Sequence, residues 1–303
     1  MSLCLVVGAA GLLGNKVYTS WQGGEIVGTS RREVPGFVVL DPLSSDSVEQ
    51  VLRKYIPSVV VISGSQMTAP DECENHKELV YRVNVGGVAN LLGGVKKCVP
   101  DAKIVYVSTD FVFSGDKLSN SGMHVEDDVP LPINKYGKSK LFAELVVQYS
   151  GLDYVIARVS RLYGYNGELG SHRGFAWSIV KQLENGKIPL EVVANQFGTP
   201  TLIDDVANAL YLLLKAGVQG VYHVAGPQRL SNFGFAQILS QEFGYGSDVI
   251  CPISAQEFAS KTNQVALRPF DSSLDTSKIQ MLGIVMHAPL QGVALMHKQM
   301  QRG

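Results

Sequence analysis

The sequence predicts a doubly wound parallel α/β fold, and three observations carry that expectation. Short, nearly continuous apolar runs recur at residues 3–7, 58–62, 103–107 and 153–157, the mark of strands buried on both faces. Stretches of helical period lie between them, so strand and helix alternate. The first run also ends in Gly8-Ala9-Ala10-Gly11-Leu12-Leu13-Gly14, glycines spaced for a tight turn from strand into helix.

The chain has 303 residues, 46% hydrophobic and 17% charged, with a formal net charge of -1. A chain of that length buries about three quarters of its unfolded surface, enough for one large domain or two joined lobes. Near-neutral charge argues against nucleic acid as the main partner. Cys4, Cys73, Cys98 and Cys251 show no paired spacing, which reads as reduced thiols in a cytosolic protein and not as a disulfide frame or zinc site. The apolar start is too short for a signal peptide core and lacks basic residues before it,. No run approaches the ~18 apolar residues of a membrane span. The expectation is a cytoplasmic protein with no membrane partner.

In chain order, the glycine turn lets backbone approach a pyrophosphate seated on the N-terminus of the helix that runs to about residue 20. The second strand, 25–29, leads to Ser30-Arg31-Arg32. An NAD-binding chain usually places an acidic residue there for the ribose 2′-hydroxyl; two guanidinium groups suit a 2′-phosphate, so NADPH is expected over NADH. The third strand, 37–40, ends at Asp41, and the helix over 44–55 is capped by Ser44 or Ser45 with Pro57 past its end,. The fourth strand leads to Ser63-Gly64-Ser65-Gln66, and a single long helix over 78–97 carries Asn84. The fifth strand ends in Ser108-Thr109-Asp110-Phe111-Val112-Phe113, two hydroxyls and a carboxylate placed where ligands bind in such sheets. A loop through Pro130 and Pro132 follows, then Asn134 or Lys135 opens the next helix; the sixth strand runs into Arg158-Val159-Ser160-Arg161.

That helix begins Tyr136-Gly137-Lys138-Ser139-Lys140, with the tyrosine and lysine one turn apart on one face,. An ammonium beside a phenol stabilises the phenolate and lowers a pKa that is otherwise ~10. The same spacing recurs at Tyr211 and Lys215 inside a plain amphipathic run, which reads as ordinary helix surface. Context singles out Tyr136, because Thr109 and the glycine turn accompany it. Beyond residue 164 the alternation breaks down into helical runs (175–185, 204–216, 232–243) and short strands (191–193, 220–224). Residues 1–160 are expected to form the dinucleotide-binding domain, with 192–224 returning to it. Residues 161–191 and 225–303 are expected to form a smaller α/β substrate lobe.

Gly8/Gly11/Gly14, Ser108-Thr109-Asp110, Tyr136/Lys140 and Arg158 stand in the order and spacing of the extended short-chain dehydrogenase/reductases. Within that group the chain resembles the dTDP-4-dehydrorhamnose reductase family. The matching stretches are Ser108 to Phe113, Asn134 to Lys140, Gln196-Phe197-Gly198-Thr199-Pro200-Thr201, and Arg268-Pro269 followed by Ser272 or Ser273, Leu274 and Lys278. The resemblance implies a Rossmann fold and an NADPH-dependent reductase of a 4-keto-6-deoxy sugar nucleotide in deoxysugar biosynthesis. Tyr136 would donate the proton, Lys140 would hold the nicotinamide ribose and depress the tyrosine pKa, and Thr109 would hydrogen-bond the carbonyl oxygen. Cofactor contacts would come from Gly8, Gly11, Leu12, Leu13, Gly14, Arg31, Arg32, Asp41, Ser63, Gly64, Ser65, Asn84, Ser108 and Arg158, besides Tyr136 and Lys140. Substrate contacts would come from Gln66, Asp110, Phe111, Arg161, Gln196 and Arg268. A homodimer is an assembly open to such a protein, and no metal is expected.

The departures concern the substrate. Arg161 stands where the family usually has a Trp, and its planar cation could stack on a sugar or pair with a phosphate or carboxylate. Asn195 replaces an acidic residue, and Gly64-Ser65 replaces alanines. Two alternatives stay open: another extended reductase or epimerase of nucleotide sugars, and a non-catalytic NADP-binding subunit like the regulatory β subunit of methionine adenosyltransferase. His76 and His124 are expected at solvent, Glu126-Asp127-Asp128 as a solvated loop, and His172-Arg173 as a loop surface or a diphosphate contact.

Overall fold

β-Branched residues dominate the apolar runs, and in the structure, a computed structural model that describes residues 3–64, 68–116, 122–167 and 174–302, they pair into one sheet. Its strands are β1 (Leu3–Val7), β2 (Glu25–Ser30), β3 (Val38–Val39), β4 (Val59–Ile62), β5 (Lys103–Thr109), β6 (Tyr154–Val159) and β7 (Gly220–His223). They lie in the order β7-β6-β5-β4-β1-β2-β3, all parallel. The order reverses between β1 and β4, the kind of crevice in which such sheets bind ligands. Register sets the depth of that crevice. Val7 pairs with Ile62 and Ile62 with Tyr106, so β5 continues through Val107 and Ser108 to Thr109 beyond the end of β4.

Both faces of the sheet are covered, which is why its strands read as continuous apolar runs. On one face Val6, Val61, Val105 and Val107 pack with Leu13 and Val17 of the Leu12–Ser20 helix and Val206 and Leu210 of the Ile203–Lys215 helix. On the other, Leu5, Val60, Ile62, Ile104 and Tyr106 meet the helices Ser45–Tyr55, Gly87–Cys98 and Lys135–Gln148. A third cluster forms a smaller lobe. There Ile179, Leu183, Phe235, Leu239 and Met296 close over the Leu190–Val193 strand, which pairs in parallel with Ile250–Ile253.

Three local expectations are corrected. The long helix over 78–97 is broken into Pro70–Asn75, Lys77–Tyr81, a π-helical turn Arg82–Gly86, and Gly87–Cys98. The wide turn puts Asn84 in the interior, where its Nδ2 donates to Ser139 Oγ at 3.0 Å; a single widened turn leaves the apolar period almost unchanged. His124 is only 4% exposed, not at solvent. Its ring stacks on Phe113 at 4.1 Å, and its Nδ1 lies 3.2 Å from Asp128. In the acidic loop Asp127 is exposed as expected, but Asp128 and Glu126 turn inward: Glu126 accepts the His223 amide, and burial pushes its carboxyl up. The described residues include no helix long and apolar enough to cross a membrane, and all four cysteines are free thiols.

The Lys135–Gln148 helix begins where Asn134 Oδ1 accepts the Gly137 amide at 2.8 Å, an N-cap bond. Gly137 then lies so close to the Phe111 carbonyl that a Cβ would overlap it, with Pro132 Cβ at 3.0 Å behind. Gly93, in contrast, sits exposed in mid-helix with nothing within 4 Å of a Cβ. Gly137→Ala should therefore cost about 1–3 kcal/mol in urea denaturation, because backbone must shift. Gly93→Ala should gain about 1 kcal/mol by helix propensity. Equal effects of the two would contradict this packing.

Candidate active site

The glycine turn assigns a separate task to each glycine. Gly8 has φ +86 and presses on the backbone of Gly64. Gly11 closes the turn through its amide to Gly8 O at 3.0 Å and opens the helix with no side-chain cap. A Cβ on Gly14 would overlap Gly8 O and stand 2.5 Å from Ser63 Oγ. The amides at Leu12, Leu13 and Gly14 belong to a first helical turn, which has no intrahelical acceptors for them. The cradle fits a pyrophosphate. Arg31 and Arg32 follow β2 on the same side of the sheet, at exposed positions.

Beyond β5 and β6 lies a cavity of about 200 Å³ lined by Ser63, Thr68, Ser108, Thr109, Asp110, Tyr136, Lys140, Arg161 and Leu162, among others. The Tyr136 hydroxyl lies near Thr109, which lines the same cavity, and Phe111 packs edge-on against the phenol ring at 6.0 Å. Burial pushes the phenol well above its ordinary range, and the Thr109 hydroxyl offsets this only in part. The expected depression by Lys140 is absent. The lysine Nζ donates to the Val107 carbonyl at 2.7 Å and lies 4.2 Å over the Tyr106 ring. Burial pulls its own pKa down to about 7, against the pull of Glu144 one turn further on. Tyr136 is thus held protonated, as a proton donor must be. Ser108 Oγ and Arg161 Nη1 are buried without a hydrogen-bond partner among the described residues.

Several residues expected at ligands are engaged elsewhere. Arg158 is 3% exposed, and its Nε and Nη2 lie 3.0 and 2.8 Å from the Glu144 carboxylate. This pair fastens β6 to the Lys135–Gln148 helix, so its assignment to the cofactor is revised. Arg268 binds Asp71 Oδ2 at 2.6 Å and the Ala266 carbonyl. Gln196 faces Asn232 through its backbone and side chain, while Asn195 Oδ1 takes the Ala255 amide at the start of a helix. Asp41 Oδ1 caps its own turn at the Leu43 amide, and Ser63 Oγ donates to the Val7 carbonyl. Asp110 lines the cavity, but both its oxygens are occupied by hydroxyls. Ser65, Gln66, His172 and Arg173 lie outside the described residues. Tyr211 rests edge-on against Trp21 at 5.7 Å, away from this site.

Residues to which the sequence assigns no site role complete the site. Ser160 and Ser272 donate to Asp110 Oδ2 at 2.8 and 2.6 Å; a partner 162 positions away leaves no local signal. Glu144 had one, as an acidic residue four after Lys140 on a face otherwise turned to the core. A larger surface hollow of about 530 Å³ borders His76, Lys77, Glu78 and Arg82. None of the strand-end residues reaches it.

Over residues 1–302 the chain matches the family described as the RmlD substrate binding domain. It is 31% identical over 284 residues to a probable low-salt glycan biosynthesis reductase, Agl14, of Haloferax volcanii, covering 91% of this chain and 90% of that protein. It is 28% identical over 295 residues to methionine adenosyltransferase 2 subunit beta of Rattus norvegicus, covering 95% and 84%. Among solved structures, dTDP-4-dehydrorhamnose reductase from Bacillus anthracis in complex with NADP superimposes with a TM-score of 0.86 at 26% identity, over 98% of this chain and 99% of that one. The match along almost the whole length, with the glycine turn and the Thr109/Tyr136/Lys140 cavity in place, makes this chain a member of the RmlD substrate-binding-domain family.

Proposed function

We propose that the protein is an NADPH-dependent reductase of a 4-keto sugar nucleotide, with the 4-keto-6-deoxy sugars as the first class to test. The observation that carries this reading is the convergence of Ser108, Thr109, Tyr136 and Lys140 on one small cavity beside an uncapped glycine turn. The glycine cradle and the first-turn amides would hold the cofactor diphosphate, and Arg31 with Arg32 would read a 2′-phosphate. Lys140 would hold the nicotinamide ribose. Reduced nicotinamide supplies a hydride when bound there.

The chain's own groups perform the rest. As the carbonyl carbon gains a hydride, its π electron pair moves onto oxygen. Thr109, whose hydroxyl proton rests on Asp110, would turn it to that oxygen and share the oxygen with Tyr136. The phenol O–H breaks toward the developing alkoxide, leaving a phenolate that solvent reprotonates. Because burial keeps the phenol protonated, the resting site is poised for reduction. A second reading rests on the match to methionine adenosyltransferase 2 subunit beta: a chain that binds the cofactor and serves as a partner protein.

With NADPH and a panel of 4-keto-6-deoxy sugar nucleotides, absorbance of the reduced cofactor should fall. Tyr136→Phe should lower that rate by about 100-fold or more, while Tyr211→Phe should not change it. Equal loss in both folded variants would sink the assignment of Tyr136; cofactor binding with no turnover on any member would favour the partner-protein reading. Separately, Arg31→Ala combined with Arg32→Ala should weaken NADPH binding about tenfold or more and leave NADH binding nearly unchanged. An unaltered preference would remove the two arginines from 2′-phosphate recognition.

A further inference from the structure

Arg161 is built into the cavity in a way its neighbours do not explain. Its backbone has φ +44, in the left-handed region that non-glycine residues seldom occupy,. The side chain fills the space left by the missing Cβ of Gly198: a Cβ there would overlap Arg161 Nε and lie 2.8 Å from its Cδ. Its Nη1 is buried and has no hydrogen-bond partner among the described residues. The two carboxylates whose charge acts on it, Asp110 and Asp271, make their hydrogen bonds elsewhere. Asp110 accepts from Thr109, Ser160 and Ser272, and Asp271 is paired with Arg229 at 2.6 Å. Burial pulls the guanidinium down to about 10 against the charges of Asp110 and Asp271, so it stays cationic at neutral pH.

A buried donor left unpaired is costly, most of all when it carries charge. Held at a strained residue on the wall of the cavity that contains Tyr136, such a donor is prepared for an acceptor brought by a ligand. We infer that Arg161 is the recognition point for an anionic oxygen of the substrate, bound in the same cavity as the carbonyl that Tyr136 would protonate. Two groups supply that chemistry in a sugar nucleotide: a carboxylate on the sugar ring, or the diphosphate. The inference rests on the proposed nucleotide-sugar site, but it concerns binding and not hydride transfer.

The test is calorimetry on NADP-loaded protein with three probes: dTDP, UDP-glucose and UDP-glucuronate. Wild type should bind at least one of them. Arg161→Gln should weaken that binding about tenfold or more, as expected for loss of a charge-assisted bond. Loss on all three probes identifies the diphosphate as the source; loss confined to UDP-glucuronate identifies the carboxylate. Gly198→Ala provides a second variant, because its new methyl displaces the flexible guanidinium without removing the charge. It should reproduce the loss even if Arg161→Gln disturbs its own turn. Unchanged affinity in both folded variants, or no binding of any probe by wild type, would overturn the inference. Binding that depends on Arg161 without any turnover would instead refute the reductase reading alone.

Discussion

The site depends on one buried carboxylate. Asp110 is almost without exposure, and burial pushes its carboxyl up while three hydroxyls, from Ser272, Ser160 and Thr109, hold it down. A buried charge is tolerated only when its lone pairs are satisfied, so these donors must stay in place. They come from the end of β5, the residue just past β6, and the last tenth of the chain. Ser160 Oγ also accepts the Thr199 amide, and Thr199 Oγ1 takes the Leu274 amide. Satisfying Asp110 therefore ties the segments around Thr199 and Ser272 to the carboxyl edge of the sheet. It also fixes Thr109, its neighbour in sequence, on the wall of the cavity that Arg161 shares.

Charge is distributed around that anchor with a division of roles. Arg158 and Glu144 neutralise each other beneath the cavity and hold strand to helix. Breaking such a buried pair by removing one partner strands the other charge, so their contribution is positional. Lys140, on the same helix as Glu144, is close enough to feel its charge and far enough buried to titrate near neutrality. Tyr136 is shifted the other way. The two members of the motif thus differ in what burial does to them: the lysine loses affinity for its proton and the tyrosine gains it. Both shifts favour a protonated phenol over a lysine-stabilised phenolate.

Much of this was legible in the sequence where the signal is local. The apolar runs point to β1, β4, β5 and β6 because strands covered on both faces need no alternation. The glycine turn gave its own conformation, and Tyr136 was separable from Tyr211 by the residues at the end of β5. What could not be read was long-range pairing. Arg158 looked like a cofactor ligand by position, but its partner Glu144 is visible only once β6 lies beside the helix. Arg268 meets Asp71, 197 positions away, and His124 is buried because Phe113 offers it a flat face. Polarity suggested solvent for that histidine; a stacked ring and one carboxylate were enough to take it inside. Arg161 was noticed as an unusual residue, yet the role of Gly198 in making room for it appears only in three dimensions.

The central claim is that this cavity moves a hydride from a bound nicotinamide to a sugar carbonyl. It is tested most directly by supplying NADPH deuterated at the transferring position of its nicotinamide C4 with a 4-keto-6-deoxy sugar nucleotide, and locating the label in the product by mass spectrometry and NMR. The account predicts one deuterium on the former carbonyl carbon, transferred by wild type and not by the folded Tyr136→Phe protein over the same interval. Product carrying no deuterium, or cofactor that binds and keeps its label with every ketosugar supplied, would contradict it.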